Sequence, residues 1–159
     1  MIEVMALDID GVLTDGTVTV DENNRESKTI CYRDVDAVFE AHRRGLTVVL
    51  VTGEDSPWVK MIGEKLEVKH VYANAKDKLA ALNKVAKDLG VTLSQICYVG
   101  DSNRDIPAIA NAGLGYAPAD AVAGAREAAD RILQSGGGNG AVAETVELLL
   151  NERDKEQNK

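Results

Sequence analysis

Asp8 and Asp10 close the apolar run Val4-Met5-Ala6-Leu7 and are followed by Gly11. Two carboxylates about 5 Å apart at an effective dielectric near 20 repel by about 3 kcal/mol, so a buried strand ending this way needs positive charge. A hard, oxygen-preferring cation such as Mg²⁺ supplies it. Further along, "VLVTG" ends at Thr52-Gly53, "KHVYAN" is followed by Lys76, Asp77 and Lys78, and "YVGDSNRD" brings Asp101 with Asp105 four residues on. These are the parts that phosphoryl transfer needs: a nucleophile, a proton donor, and positive charge on the phosphoryl oxygens. The Asp8 carboxylate can attack phosphorus and form an aspartyl-phosphate. Asp10 can give and later take the proton. Thr52 and nearby backbone N–H groups, Gly53 among them, can hold a phosphoryl oxygen. Lys78, with Lys76 as its rival, supplies fixed charge, and Asp101 completes the metal site.

These residues meet only if the fold brings them together. Apolar β-like runs ("IEVMALD", "LTVVLVTG", "KHVYAN", "QICYVGD") alternate with runs of helical spacing ("DVDAVFEAHRRG", "SPWVKMIGEKL", "KDKLAALNKVAKDLG", "RDIPAIANAG"). This alternation predicts an α/β fold, Rossmann-like and doubly wound, with a mostly parallel sheet covered on both faces. "GLGYAP" and "RILQ" are candidate fifth and sixth strands. All strand C-termini then lie along one edge, where ligands bind. The period-two stretch "TVTVDENNRESKTICY" predicts a β-hairpin inserted after the first strand, over about residues 16–32. "SGGGNG" reads as a flexible loop, or else as an anion cradle of backbone N–H groups, before a last helix over Ala141 to Leu150. Residues 1–150 make a single domain and "NERDKEQNK", 151–159, a charged flexible tail.

The net charge of −8 argues against nucleic acid or an anionic membrane as partner, and no run approaches the length of a membrane span. An anionic substrate must therefore be drawn in locally, by metal and lysine. The N-terminus carries no export signal, and Cys31 and Cys97 sit in apolar strand-like runs. Both read as reduced thiols of a cytoplasmic protein.

"DIDGVLTDG", "VLVTG", "DKL" and "YVGDSNRD" together, in this order, resemble the four signature segments of the haloacid dehalogenase superfamily, over roughly residues 3 to 150. The hairpin after "DGVLTDG", the pair Arg33-Asp34 and "GGGNGAVAE" resemble its capless sugar-acid phosphatases. By that resemblance Asp8 is nucleophile and Mg²⁺ ligand. Asp10 is acid/base and binds the metal through its carbonyl. Thr52 and Lys78 hold the phosphoryl group, Asp101 is a metal ligand, and Asp105 supports the metal site from behind. Arg33, Asp34 and Gly53 are candidates for substrate contact. The resemblance implies a phosphorylated 2-keto-3-deoxy sugar acid as substrate and a homotetramer as the assembly. Glu54 and Lys65 resemble the branch acting on nine-carbon acids, which ranks a nine-carbon 9-phosphate ahead of 3-deoxy-manno-octulosonate 8-phosphate. The chain departs from the pattern at Ser102, where a second acid is usual, at Val35, and at Ala143, where an arginine usually precedes the glutamate.

Two other classes use similar parts. A phosphorelay receiver also combines Asp, Thr, Lys and Mg²⁺. It carries its acceptor after the third strand, however, and here that strand ends in "YAN". A non-catalytic assembly module of the same fold needs none of Asp8, Asp10, Lys78 or Asp101. Only 43 residues separate Asp8 from Thr52, and a hairpin and one helix use them. No cap domain fits.

Overall fold

The computed structural model describes residues 1–159. Strand β1 (Val4–Leu7) is followed by a tight turn and the antiparallel hairpin β2 (Thr19–Val20) and β3 (Glu26–Ser27). Helix α1 (Tyr32–Arg43) leads to β4 (Thr47–Val51), α2 (Pro57–Lys65) to β5 (His70–Tyr72), and α3 (Lys78–Leu89) to β6 (Ile96–Val99). Then come α4 (Ile106–Asn111), β7 (Leu114–Ala117), α5 (Ala123–Ala128), β8 (Arg131–Ile132) and α6 (Ala141–Gln157). The sheet runs β5-β4-β1-β6-β7-β8 with every pairing parallel. Both candidate late strands are present, and only the hairpin and α1 lie between β1 and β4.

Strand side chains alternate between two cores. Met5 and Leu7 of β1 pack with Val48, Leu50 and residues of α1, α2 and α6. Val4 and Ala6 pack on the other face with Val49, Val51 and residues of α3, α4 and α5. Burial on both faces explains why the strands are continuously apolar. β1 is central in the sheet, so Asp8 emerges between the ends of β4 and β6, with its N–H donating to the Val99 carbonyl at 3.0 Å.

The last helix runs to Gln157, past the predicted end at Leu150, so most of "NERDKEQNK" is helical rather than frayed. Long-range pairs hold these turns. Arg153 donates to the carbonyls of Arg44 (3.1 Å) and Gly45 (3.4 Å), and Arg44 pairs with Asp154 at 2.6 Å. Gly45 and Gly90, just past the ends of α1 and α3, have φ of +73° and +67°. Gly113 is needed for a different reason, because a Cβ there would strike the Ser94 backbone. No helix is long and apolar enough to cross a membrane.

Candidate active site

The turn after β1 is built around its polar residues. Asp8 accepts the Ile9 N–H at 2.8 Å and is 7% exposed. Gly11 has φ +86°, and a Cβ on it would overlap the Asp101 carboxylate, so glycine is required for the two loops to meet. The Thr14 hydroxyl accepts the N–H groups of Gly11 (3.3 Å) and Gly16 (3.1 Å) and donates to Asp10 Oδ1 at 3.2 Å.

Thr52 directly follows β4, is 2% exposed, and its hydroxyl accepts the Glu54 N–H at 3.3 Å. Asp77 caps α3 by accepting the Ala80 N–H at 2.9 Å, which sets Lys78 as the first residue of that helix. Lys78 Nζ lies 3.2 Å from Asp8 Oδ1, 2.9 Å from Asp105 Oδ1 and 3.4 Å from the Tyr98 hydroxyl. Lys76, its rival, is exposed and donates to the Gly53 carbonyl at 2.5 Å, without touching Asp8. Asp105, fully buried, also accepts the Tyr98 hydroxyl at 2.6 Å, the N–H groups of Asp101 and Ser102 at 3.0 Å each, and the Ser102 hydroxyl at 3.1 Å. Both its oxygens are engaged by the protein. Ser102, in place of a second acid, thus braces Asp105.

Asp8, Asp101 and Asp105 offer carboxylate oxygens that all lie within 4.8 Å of one another. Burial, and then the charge of Asp105, push Asp8 well above the usual carboxylate range, against the pull of Lys78. The same two causes, in that order, raise Asp101 to about 6. Burial also acts to raise Asp105, but Lys78, the Tyr98 hydroxyl and the Ser102 N–H outweigh it and hold that carboxyl low. Burial acts to lower Lys78, yet Asp8 and Asp105 keep it raised and charged. Asp8 and Asp101 are therefore short of positive charge, and both are oxygen donors. That donor set fits a hard divalent cation.

Asp8, Lys78 and Asp101 line a cleft of about 470 Å³ with Asp10, Gly16, Thr52, Gly53, Glu54, Lys76, Ser102 and Arg104, and with no hydrophobic residue. A larger groove of about 740 Å³ runs along β5 and α3, away from Asp8 and Asp101. The cleft gathers Asp8, Asp10, Thr52, Gly53, Glu54, Lys78 and Asp101, with Asp105 behind them. It does not gather Arg33, Asp34 or Lys65. Asp34 is buried and accepts the N–H groups of Ala143 (2.9 Å) and Gly140 (3.4 Å), so it caps α6. Arg33 is exposed beside Gly140, and Lys65 is exposed at the end of α2.

The anion-cradle reading of "SGGGNG" fails for the same reason as that of Asp34. The Gly137 N–H donates to Asp120 at 3.0 Å, Gly138 to the Val12 carbonyl at 3.0 Å, and Glu144 takes the N–H groups of Gln134 and Ser135 at 2.9 Å each. A Cβ on Gly137 would overlap the Gly11 carbonyl, so this loop braces the turn that carries Asp8.

Residue types alone did not indicate Lys28, Thr14, Tyr98 or Arg104. Tyr98 had a signal: a hydroxyl inside a continuously buried strand needs a partner. Lys28 had none, because its partners stand 18 and 26 residues away.

A family model described as haloacid dehalogenase-like hydrolase matches residues 24–113. The chain is 32% identical over 154 residues to 3-deoxy-D-manno-octulosonate 8-phosphate phosphatase of Haemophilus influenzae, covering 97% of this chain and 86% of that one. It is 33% identical over 149 residues to the Escherichia coli K12 phosphatase of the same name, covering 94% and 79%. The Moraxella catarrhalis phosphatase, solved with a magnesium ion, a phosphate ion and a KDO molecule, superposes with a TM-score of 0.91 at 33% identity, over 94% of this chain and 86% of that one. The cobalt-bound H. influenzae structure gives 0.90 at 33% identity, over 94% and 88%.

Proposed function

The chain belongs to the haloacid dehalogenase-like hydrolases, and we propose that it is a Mg²⁺-dependent phosphatase of phosphorylated 2-keto-3-deoxy sugar acids, working through an aspartyl-phosphate on Asp8. The observation that carries this reading is the meeting of Asp8, Lys78 and Asp101 in one polar cleft, with Asp10 beside them. An Asp8 oxygen attacks phosphorus while Asp10 protonates the leaving alkoxide. Asp10 then takes a proton from water as that water attacks the aspartyl-phosphate, which returns Asp8 and releases phosphate. Thr52 and the Gly53 N–H hold phosphoryl oxygens. Lys78 keeps Asp8 aimed and adds positive charge to the transferring group. Asp8, Asp101 and the Asp10 carbonyl would hold Mg²⁺, with Asp105 behind them. When bound, the ion neutralises the carboxylates and the charge on the phosphoryl oxygens. The reading assigns this work to one domain of a cytoplasmic protein, with α6 carrying the domain past residue 150, in keeping with the unpaired thiols of Cys31 and Cys97.

For the substrate we rank 3-deoxy-manno-octulosonate 8-phosphate first, ahead of a nine-carbon 9-phosphate. The relatives, similar over most of the chain, carry that activity in their names. The experiment is steady-state phosphate release from both sugar-acid esters and phenyl phosphate, with Mg²⁺. Sustained turnover with the eight-carbon ester preferred is the expected result. A single stoichiometric phosphorylation would instead indicate a receiver, and no reaction an assembly module. A tenfold preference for the nine-carbon ester, about 1.4 kcal/mol in transition-state binding, would reverse the ranking.

We further propose a homotetramer in which hairpins of neighbouring copies pack together and cover the cleft mouths. Val18 and Val20 are 45% and 51% exposed on the hairpin, and Tyr32 beside it is 80% exposed. A two-stranded hairpin is marginal alone in water. Sedimentation is expected to give a tetramer, and Val20→Asp to dissociate it. A wild-type monomer with full activity would contradict the assembly.

A further inference from the structure

Asp10 and Glu54 both face the cleft, and one cation stands behind both of them. Lys28, just past β3, places Nζ 3.0 Å from Asp10 Oδ2, 2.8 Å from Glu54 Oε2 and 5.0 Å from the centre of the Trp58 ring. Its side chain is only 7% exposed, and it is not part of the cleft lining. Lys28 therefore does not meet a ligand in the cleft; it meets two groups that do. A buried ammonium is costly unless paired and hydrogen-bonded, and here two carboxylates and a ring face meet that need. The other Asp10 oxygen accepts the Thr14 hydroxyl at 3.2 Å, so both oxygens of that carboxylate have a fixed partner. Glu54 has no other ion-pair partner.

We propose that Lys28 is a positioning residue, through which the hairpin aims Asp10 for proton transfer and Glu54 for the hydroxyl groups of the substrate. The proposal rests on the phosphatase reading of the cleft. Proton transfer demands heavy-atom distances of about 2.6–3.2 Å, and a carboxylate free to rotate is less often within them. Without the ammonium, Asp10 and Glu54 stand within about 6 Å of each other with like charge, and repulsion turns them apart. Docking of the hairpin thus sets the chemistry and the recognition of the sugar through one contact.

The test uses full-length Lys28→Met, which keeps length and loses charge, and Lys28→Arg, which keeps charge. Each is assayed with Mg²⁺ on octulosonate 8-phosphate and on phenyl phosphate, which has no hydroxyl groups for Glu54 to read. Lys28→Met is expected to lower kcat about 30-fold or more on both esters, through Asp10, with KM raised only for the sugar ester, through Glu54. Lys28→Arg should recover kcat to within about fivefold of wild type, which a merely structural role does not require. Rates for Lys28→Met within about threefold of wild type on both esters, or a KM rise shared equally by both with kcat unchanged, would overturn the proposal. Should Lys28→Met fail to fold, Lys28→Met/Glu54→Gln, which removes both members of the pair, carries the test. Low kcat on phenyl phosphate there supports the proposal, and wild-type kcat overturns it. A wild-type protein inert towards both esters overturns the phosphatase reading and the proposal together. An active wild type with an unaffected Lys28→Met overturns the proposal alone.

Discussion

Asp8→Asn is expected to lose about ten-thousand-fold or more in kcat while the fold persists, a change of about 5 kcal/mol in transition-state free energy. The amide keeps the volume of the carboxylate and its acceptor oxygen for the Ile9 N–H, which is 2.8 Å away. What it removes is the charge that attacks phosphorus. The structure adds a second expectation. Asp8 is buried beside Asp101 and Asp105, and its ionised form is disfavoured there despite Lys78. Replacing it with a neutral group relieves that repulsion in the metal-free protein. The melting temperature of metal-free Asp8→Asn should therefore match or exceed that of metal-free wild type. Activity lost through misfolding would carry a lower melting temperature, so calorimetry beside the rate assay separates the two causes. Asp8→Asn with full activity would end the nucleophile assignment.

Chelation with EDTA is expected to abolish turnover and added Mg²⁺ to restore it, and the same ion should stabilise the fold in a pH-dependent way. The folded pKa of Asp101, about 6, lies above its ordinary value of 3.8, and that of Asp8 is raised as well. For a raised carboxyl, the stability contribution is fully present below the unfolded pKa and is lost as pH rises through the folded one. Metal-free protein should thus be less stable at pH 7.5 than at pH 5. Asp105, whose pKa is lowered, loses its contribution only below the ordinary carboxylate range, outside this window. Mg²⁺ competes with protons for the same oxygens, so its stabilisation should be larger at pH 7.5 than at pH 5. Equal stabilisation at both pH values would contradict binding at Asp8 and Asp101, as would full activity in EDTA.

The acids that end β1 and β6 were legible because the sheet is parallel and nearly every strand is marked by its own apolar run. Once the order of strands and helices is known, the strand ends must share an edge, and residue types there carry the chemistry. Asp34 was misread because its partners, Gly140 and Ala143, are more than a hundred residues away. A dipeptide beside a helix start looks the same whether it faces a ligand or caps another helix. Lys28 was missed for a related reason. Within the period-two pattern of the hairpin it is one polar residue among several, and only the fold-back of the hairpin brings it to Asp10 and Glu54. The turns of α6 beyond Leu150 read as a charged tail because Arg153 and Asp154 find their partners around Arg44, far along the chain. Periodicity reports which face of an element is buried; it does not report which distant side chain completes a hydrogen-bond set.

The most direct test of the account is rapid acid quenching of the wild-type protein with octulosonate 8-phosphate labelled with ³²P and with Mg²⁺. The account predicts protein-bound label that rises within the first turnover, decays on a chase with unlabelled substrate, maps to Asp8, and is absent from Asp8→Asn. Turnover without protein-bound label, or label mapped to another residue, would contradict it.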